Sequence, residues 1–242
     1  MTMTLYELAW GPYPRRVGIY LAEKGITGIE RVAFDLMAGW PPPELAQLSP
    51  LATVPILRTD EGVPIRSSIA ILEYLEERFP SPDMLGGTPQ ARARTRELVA
   101  VIDEAAVQFG IWCHKGSPAF AGREAQNQEA ATFAADAYHG RLRMLETLAS
   151  ETTGPFLTGG HVTIVDCIAM ATLQFAKGLY GVPLPDYCPV LTEWYAMFAE
   201  RPSATPVPYP LPLLAVAYGL PVACPPSAKW QPVLRFSKLD AI

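Results

Sequence analysis

Residues 50–72 constrain the fold of this chain more than any other stretch. Pro50-Leu51-Ala52-Thr53-Val54-Pro55-Ile56-Leu57 is followed, after a short gap, by Val63-Pro64-Ile65-Arg66-Ser67-Ser68-Ile69-Ala70-Ile71-Leu72. The order reads as loop, strand, tight turn, strand, helix. Thr59-Asp60-Glu61-Gly62 has turn chemistry between two apolar runs. Helical spacing starts at Ile69 and continues through Leu72 and Leu75, with Glu73, Glu76 and Glu77 on the other side. Ser67 therefore stands where a helix N-cap is expected, at the positive end of the helix dipole. Pro55 has no N–H, so the first strand must begin at it or run along an edge. Backbone exposed beside a proline, with a helix start close by, suits an extended, anionic, peptide-like ligand.

The chain of 242 residues is long enough for one large domain or two small ones with a real core. Half of it is hydrophobic and only 18% is charged, which marks a globular protein. The net charge is −5 and no basic run exists to displace phosphate counterions, so no nucleic-acid partner is expected. Cys113, Cys167, Cys188 and Cys224 show no Cys-x-x-Cys spacing, and neither a metal site nor a disulfide framework is expected. The N-terminus lacks a secretory pattern and no apolar run reaches membrane-spanning length, which leads us to expect no membrane partner and a cytoplasmic protein.

Along the chain, residues 3–9 read as a strand, and Trp10-Gly11-Pro12-Tyr13-Pro14 as a loop. Arg15 to Lys24 reads as a helix ended by Gly25, and Ile29 to Phe34 as a second strand. Pro41-Pro42-Pro43 precedes a short helix from Glu44. After the opening motif, residues 80–90 carry turn formers and form the candidate linker. The remainder reads as helices over Gln90–Cys113, Arg123–Ser150 (with Phe133 on the apolar side), an apolar run after Thr163-x-x-Asp166, and Pro189–Glu200. Thr163 and Asp166 have the form of a capping box, which makes Asp166 structural. Prolines number 25, about twice the usual share. Many fall after Ser203, in a segment too apolar for a solvated linker. Its plain reading is an extension packed along the body; a sharper one is a lid on a second-substrate pocket or an arm to a partner subunit.

Thr53-Val54-Pro55 before a hairpin, followed by Ser67-Ser68-Ile69-Ala70-Ile71-Leu72-Glu73-Tyr74-Leu75, resembles the glutathione site of the cytosolic glutathione transferase superfamily. The resemblance covers roughly residues 3–203. It implies an α/β N-terminal thioredoxin-like domain over 1–80 and an all-α C-terminal domain over 89–203, and the Pro-rich extension over 204–242, expected to pack on the body, lies outside it. It also implies a cis peptide before Pro55 and a homodimer. Glutathione would be the co-substrate, held by Gly11, Val54, Pro55, Arg66 and Ser67, with Ser67 binding the γ-glutamyl carboxylate.

The chain departs from the family at two of these positions. Counting back from Arg16-Val17, the catalytic serine of Ser-type members falls on Gly11, which has no side chain. Three thiol activators stay open. Tyr13, at the start of the first helix, has a hydroxyl that can donate. Tyr6, in the first strand, lies near the tyrosine of Tyr-type members, although core packing explains it as well. The third is the backbone N–H groups of Gly11, Tyr13 and Arg15. Arg66 is the second departure, since the family usually places an acidic residue or Gln there; an arginine repels an ammonium and can pair with a carboxylate. Trp112, Cys113 and His114 end a helix that borders the electrophile pocket in the family. Two functions follow as expectations. One is an enzyme that uses the glutathione thiolate against a hydrophobic electrophile, by conjugation, ether cleavage or isomerisation. The other is a binding or scaffold protein that keeps the fold with weak or no transferase activity.

Overall fold

The computed structural model describes residues 2–220. Strand β1 (Thr4–Glu7) leads into helix α1 (Pro12–Lys24) and strand β2 (Glu30–Ala33). Helix α2 (Pro43–Leu48), strands β3 (Ile56–Arg58) and β4 (Pro64–Ile65) and helix α3 (Ser68–Arg78) complete the first unit. The sheet order is β2-β1-β3-β4. β1 and β2 are parallel, with Tyr6 opposite Val32, while β1–β3 and β3–β4 are antiparallel, with Tyr6 opposite Ile56. This is the thioredoxin-like arrangement that the resemblance implies.

Helix α1 begins at Pro12, three residues before the expected Arg15. Its first turn holds Pro12 and Pro14, which lack N–H groups that would be unpaired there anyway. Tyr13 is therefore inside the helix and not in a loop. Side chains alternate across β1: Leu5 joins the main core under α1 and α3, and Tyr6 packs with Leu45 and Ile56 on the opposite face.

The helical unit comprises α4 (Pro89–Gly116), α5 (Gln128–Ser150), α6 (Ile164–Tyr180), α7 (Pro189–Ala199) and α8 (Leu211–Ala217). The side chain of Thr88 caps α4 and that of Asn127 caps α5, so α5 starts five residues later than expected. Phe133 is 75% exposed and does not belong to the apolar face of α5, which is built from Ala131, Ala134, Ala135, Tyr138, Leu142 and Leu145. Helix α6 is buried on nearly every side and opens with the expected box. Asp166 accepts from Thr163 N (2.8 Å), Leu157 N (3.0 Å) and Trp194 Nε1 (2.8 Å), confirming a structural role.

Helix α1 joins the two units. It packs along α6, and its polar side chains cross the seam. Arg15 Nη2 donates to the carbonyls of Thr205 (2.7 Å) and Ser203 (3.0 Å). Arg201 grips Glu23 through two bonds of 2.7 and 2.6 Å, and Ser203 Oγ donates to the same carboxylate. Lys24 Nζ reaches both Glu76 and the Pro82 carbonyl (2.7 Å), which pins the linker to the first unit. The extension starts as a docked segment. Tyr209 Oη donates to the Gln174 carbonyl, and its ring sits so close to Gly178 that a Cβ there would lie 2.9 Å from it. From Pro221 onward the extension lies outside the described residues.

The Glu23 clamp gives a pH signature. Burial alone would raise this carboxyl, but the bonds from Arg201 and Ser203 more than offset that and hold it below the usual glutamate range. Its stabilisation is complete above the unfolded-state value of about 4.3 and is lost as pH falls through the lower folded-state value. Glu23→Gln is expected to cost about 1–3 kcal/mol in urea denaturation at pH 7 and to flatten the stability profile below about pH 5. An unchanged midpoint would refute the clamp.

Candidate functional site

Three segments meet at one end of the sheet: the approach to β3, the start of α3 and the start of α1. The Val54–Pro55 peptide is cis, as the resemblance implies. Pro55 is buried and Val54 half-buried. Among the described residues, no hydrogen bond engages the N–H or carbonyl of Val54. This leaves one strand-like donor and acceptor open where β3 begins.

Ser67 occupies the N-cap position of α3 with extended backbone, φ −134° and ψ 134°, and it is exposed. Its hydroxyl makes no capping bond. A free hydroxyl and open N–H groups at a helix start form a site for an anion. Arg66 turns away from this point. Its Nε donates to the Leu48 carbonyl at 2.8 Å, at the C-terminal end of α2, where a cation also suits the helix dipole.

Arg16 links the starts of α1 and α3. Its side chain has no exposed surface, and Nη1 pairs with Asp103 Oδ1 at 2.5 Å and reaches Ser68 Oγ at 3.4 Å. Its guanidinium carbon lies 4.5 Å from the centroid of the Tyr13 ring. Nε and Nη2 have no partner among the described residues. Arg16 thus places Tyr13 near Ser68 at the start of α3. Burial pushes the Tyr13 phenol up and Asp103 adds to this, while Arg16 opposes it. The hydroxyl is protonated at neutral pH, and no described residue accepts its hydrogen.

Gly11 is the N-cap of α1. Its N–H donates to the Leu8 carbonyl (2.8 Å), and its carbonyl accepts from Arg15 N (2.9 Å). Both N–H groups are therefore spent, which leaves Tyr13 N–H as the one backbone donor of the three considered. A Cβ at position 11 would stand 3.2 Å from Leu8 O and 3.5 Å from Pro14 Cδ, so this turn fits glycine better than serine. Tyr6 is 4% exposed and stacks on Phe34 at 6.1 Å, a core residue away from this cluster.

Next to the start of α1, a cleft of about 530 Å³ opens between the two units. Leu8, Trp10, Met37 and Trp40 form one wall, Phe120, Phe175 and Tyr180 a second, and Leu213 and Val216 of α8 a third. Its size and apolar lining suit a small organic ligand. The extension thus does more than cover surface, since α8 walls a pocket. His114 lines the cleft, with Nδ1 2.6 Å from Glu124 Oε1 and its ring stacked on Phe120 at 3.9 Å. Trp112 and Cys113, its neighbours in sequence, are buried in the core, and burial pushes the Cys113 thiol well up. The sequence does not single out Trp10, Trp40 or Leu213 as pocket residues, because loop and helix segments far apart in the chain supply them. Among the described residues no cluster of His, Cys, Asp or Glu has the form of a metal site, and no helix is long and apolar enough to cross a membrane.

Comparison with known proteins agrees with this geometry. Residues 10–78 match the family model for the glutathione S-transferase N-terminal domain, and residues 112–204 match that for the C-terminal domain. Glutathione S-transferase 2 of Saccharomyces cerevisiae is 31% identical over 212 residues, covering 83% of this chain and 87% of that protein. A stringent starvation protein A homolog of Coxiella burnetii is 34% identical over 185 residues, covering 76% and 79%. The crystal structure of Gtt2 from Saccharomyces cerevisiae superimposes with a TM-score of 0.74 at 27% identity, over 83% of this chain and 98% of that one. With both domain matches in chain order and a thioredoxin-like sheet docked on a helical unit, the chain belongs to the glutathione S-transferase family.

Proposed function

We propose that this chain is a glutathione-dependent transferase acting on hydrophobic electrophiles. The observation that carries the reading is the set of unpaired groups at one end of the sheet. The Ser67 hydroxyl makes no capping bond, and neither backbone group of Val54 has a partner among the described residues, while Leu8 and Trp10, just before the start of α1, line an apolar cleft. The γ-glutamyl carboxylate binds at Ser67 and the helix start, and the cysteinyl backbone pairs with Val54 as an added strand. The thiol then lies at the start of α1.

A free thiol has a pKa of about 8.5, and a positive helix end with a donor lowers it. Tyr13 supplies the donor: its hydroxyl is protonated, free and held under Arg16. The thiolate attacks the electrophile in the cleft, forming a carbon–sulfur bond as the leaving group departs or a double bond takes the electrons. A specific observation adds a proton acceptor. Nδ1 of His114 is tied to Glu124, and its other ring nitrogen has no partner among the described residues.

A second reading is a binding protein that uses the same groove without efficient turnover. Gly11, which supplies no hydroxyl, and the likeness to a stringent starvation protein A homolog favour it. Under either reading we propose a homodimer in the cytoplasm. Leu51 (76% exposed), Val107 (44%) and Ile111 (40%) offer apolar surface for a second copy.

Calorimetry with glutathione is expected to show binding that weakens about tenfold in Ser67→Ala, the loss of one charge-assisted bond. Turnover of a panel of electrophiles is expected to fall at least about tenfold in Tyr13→Phe. No binding together with no turnover would overturn the proposal. Turnover that survives Tyr13→Phe unchanged would remove Tyr13 from catalysis and direct attention to His114. Sedimentation is expected to give twice the monomer mass, and a single monomer would refute the dimer.

A further inference from the structure

The cleft has one polar corner, and its charges are unbalanced. Glu124 is the carboxylate there. Its Oε1 accepts from His114 and its Oε2 from Lys115 Nζ at 3.0 Å, and these bonds hold its carboxyl below the usual range. Arg123 also lines the cleft, and among the described residues it has no carboxylate partner. Its backbone N–H donates to Phe120 O at 2.8 Å, so the residue is tied into the turn that carries Phe120 into the cleft wall. The one local carboxylate is thus engaged by His114 and Lys115, while Arg123, exposed at the rim of the cleft, has none. A fixed cation at the rim of an apolar cleft draws an anion toward it, and salt screens that pull. A guanidinium also offers a planar fork that matches a carboxylate.

We infer that the cleft selects an aromatic electrophile that carries one anionic group, with Arg123 as the residue that reads that group. The aromatic body lies among the indole and phenyl rings, where offset and edge contacts add to burial. The carboxylate points to the Arg123 corner. The inference rests on the proposed transferase reading for the word electrophile, but not for the selection itself, which concerns binding in the cleft.

The test separates the two. Without glutathione, quenching of intrinsic tryptophan fluorescence measures the affinity of two unreactive probes, 3,5-dinitrobenzoate and 1,3-dinitrobenzene. The first is expected to bind about tenfold more tightly, with the preference shrinking as salt is raised from 20 to about 500 mM. Arg123→Gln is expected to remove the preference while leaving dinitrobenzene affinity in place, and Arg123→Lys to keep part of it. Equal affinities in the wild type, no detectable binding of either probe, or a preference that survives Arg123→Gln would each overturn the inference. With glutathione present, 4-chloro-3,5-dinitrobenzoate and 1-chloro-2,4-dinitrobenzene provide the reactive pair. The thiolate forms the carbon–sulfur bond, chloride leaves with the carbon–chlorine electron pair, and the thiol proton passes to buffer. A lower KM for the benzoate that rises in Arg123→Gln supports the inference. Turnover of both at equal KM sinks it and leaves the transferase standing. Anion preference without any turnover sinks the transferase and leaves the selective cleft.

Discussion

A guanidinium with no exposed surface ties this molecule together. Arg16 leaves α1, pairs with Asp103 on α4 and touches Ser68 at the head of α3, while its flat face covers Tyr13. A charge removed from water is tolerated only with partners in good geometry, and removing one partner of such a pair typically costs about 3–5 kcal/mol. Here the partners belong to three helices and both structural units. Their relative positions are therefore fixed by the need to satisfy one cation. The groups proposed to hold glutathione and its thiol sit on the same three-way junction.

The seam around that junction is polar at its edges and apolar at its centre. Arg15, Glu23 and Arg201 anchor the rim, and α6 presents a buried surface to α1 between them. Such a seam gives the cleft firm walls. Its third wall is α8, seated through Tyr209 in the notch that Gly178 leaves on α6. A side chain at position 178 would push that tyrosine out. Shape at the cleft is thus set from a distance, by a residue that does not line it.

Much of the fold is legible in the sequence because its signals are local. The turn at Thr59–Gly62, the helical spacing after Ser67 and the box at Thr163–Asp166 each determine their own element. The start of α1 is not legible in the same way. Two prolines read as loop, yet the first turn of a helix accepts them, and Tyr13 moves from loop to helix as a result. Gly11 reads as the loss of a catalytic serine. The structure adds a physical reason, a turn in which Leu8 O leaves little space for a Cβ. Ser67 is placed correctly by its position, but only coordinates show that its hydroxyl is free of the cap. The cleft is the least legible part, because its walls come from residues scattered between Leu8 and Val216.

The central claim is that this junction stabilises a thiolate without a serine at the head of α1. The most direct measurement is a difference-absorbance titration of the thiolate of bound glutathione across pH 5 to about 10 in the wild-type protein. The account predicts an apparent pKa clearly below the free-thiol value of about 8.5, in the range of about 6–7.5. A bound thiol that titrates at the free value would contradict it, and would leave the groove a binding site with no catalytic step.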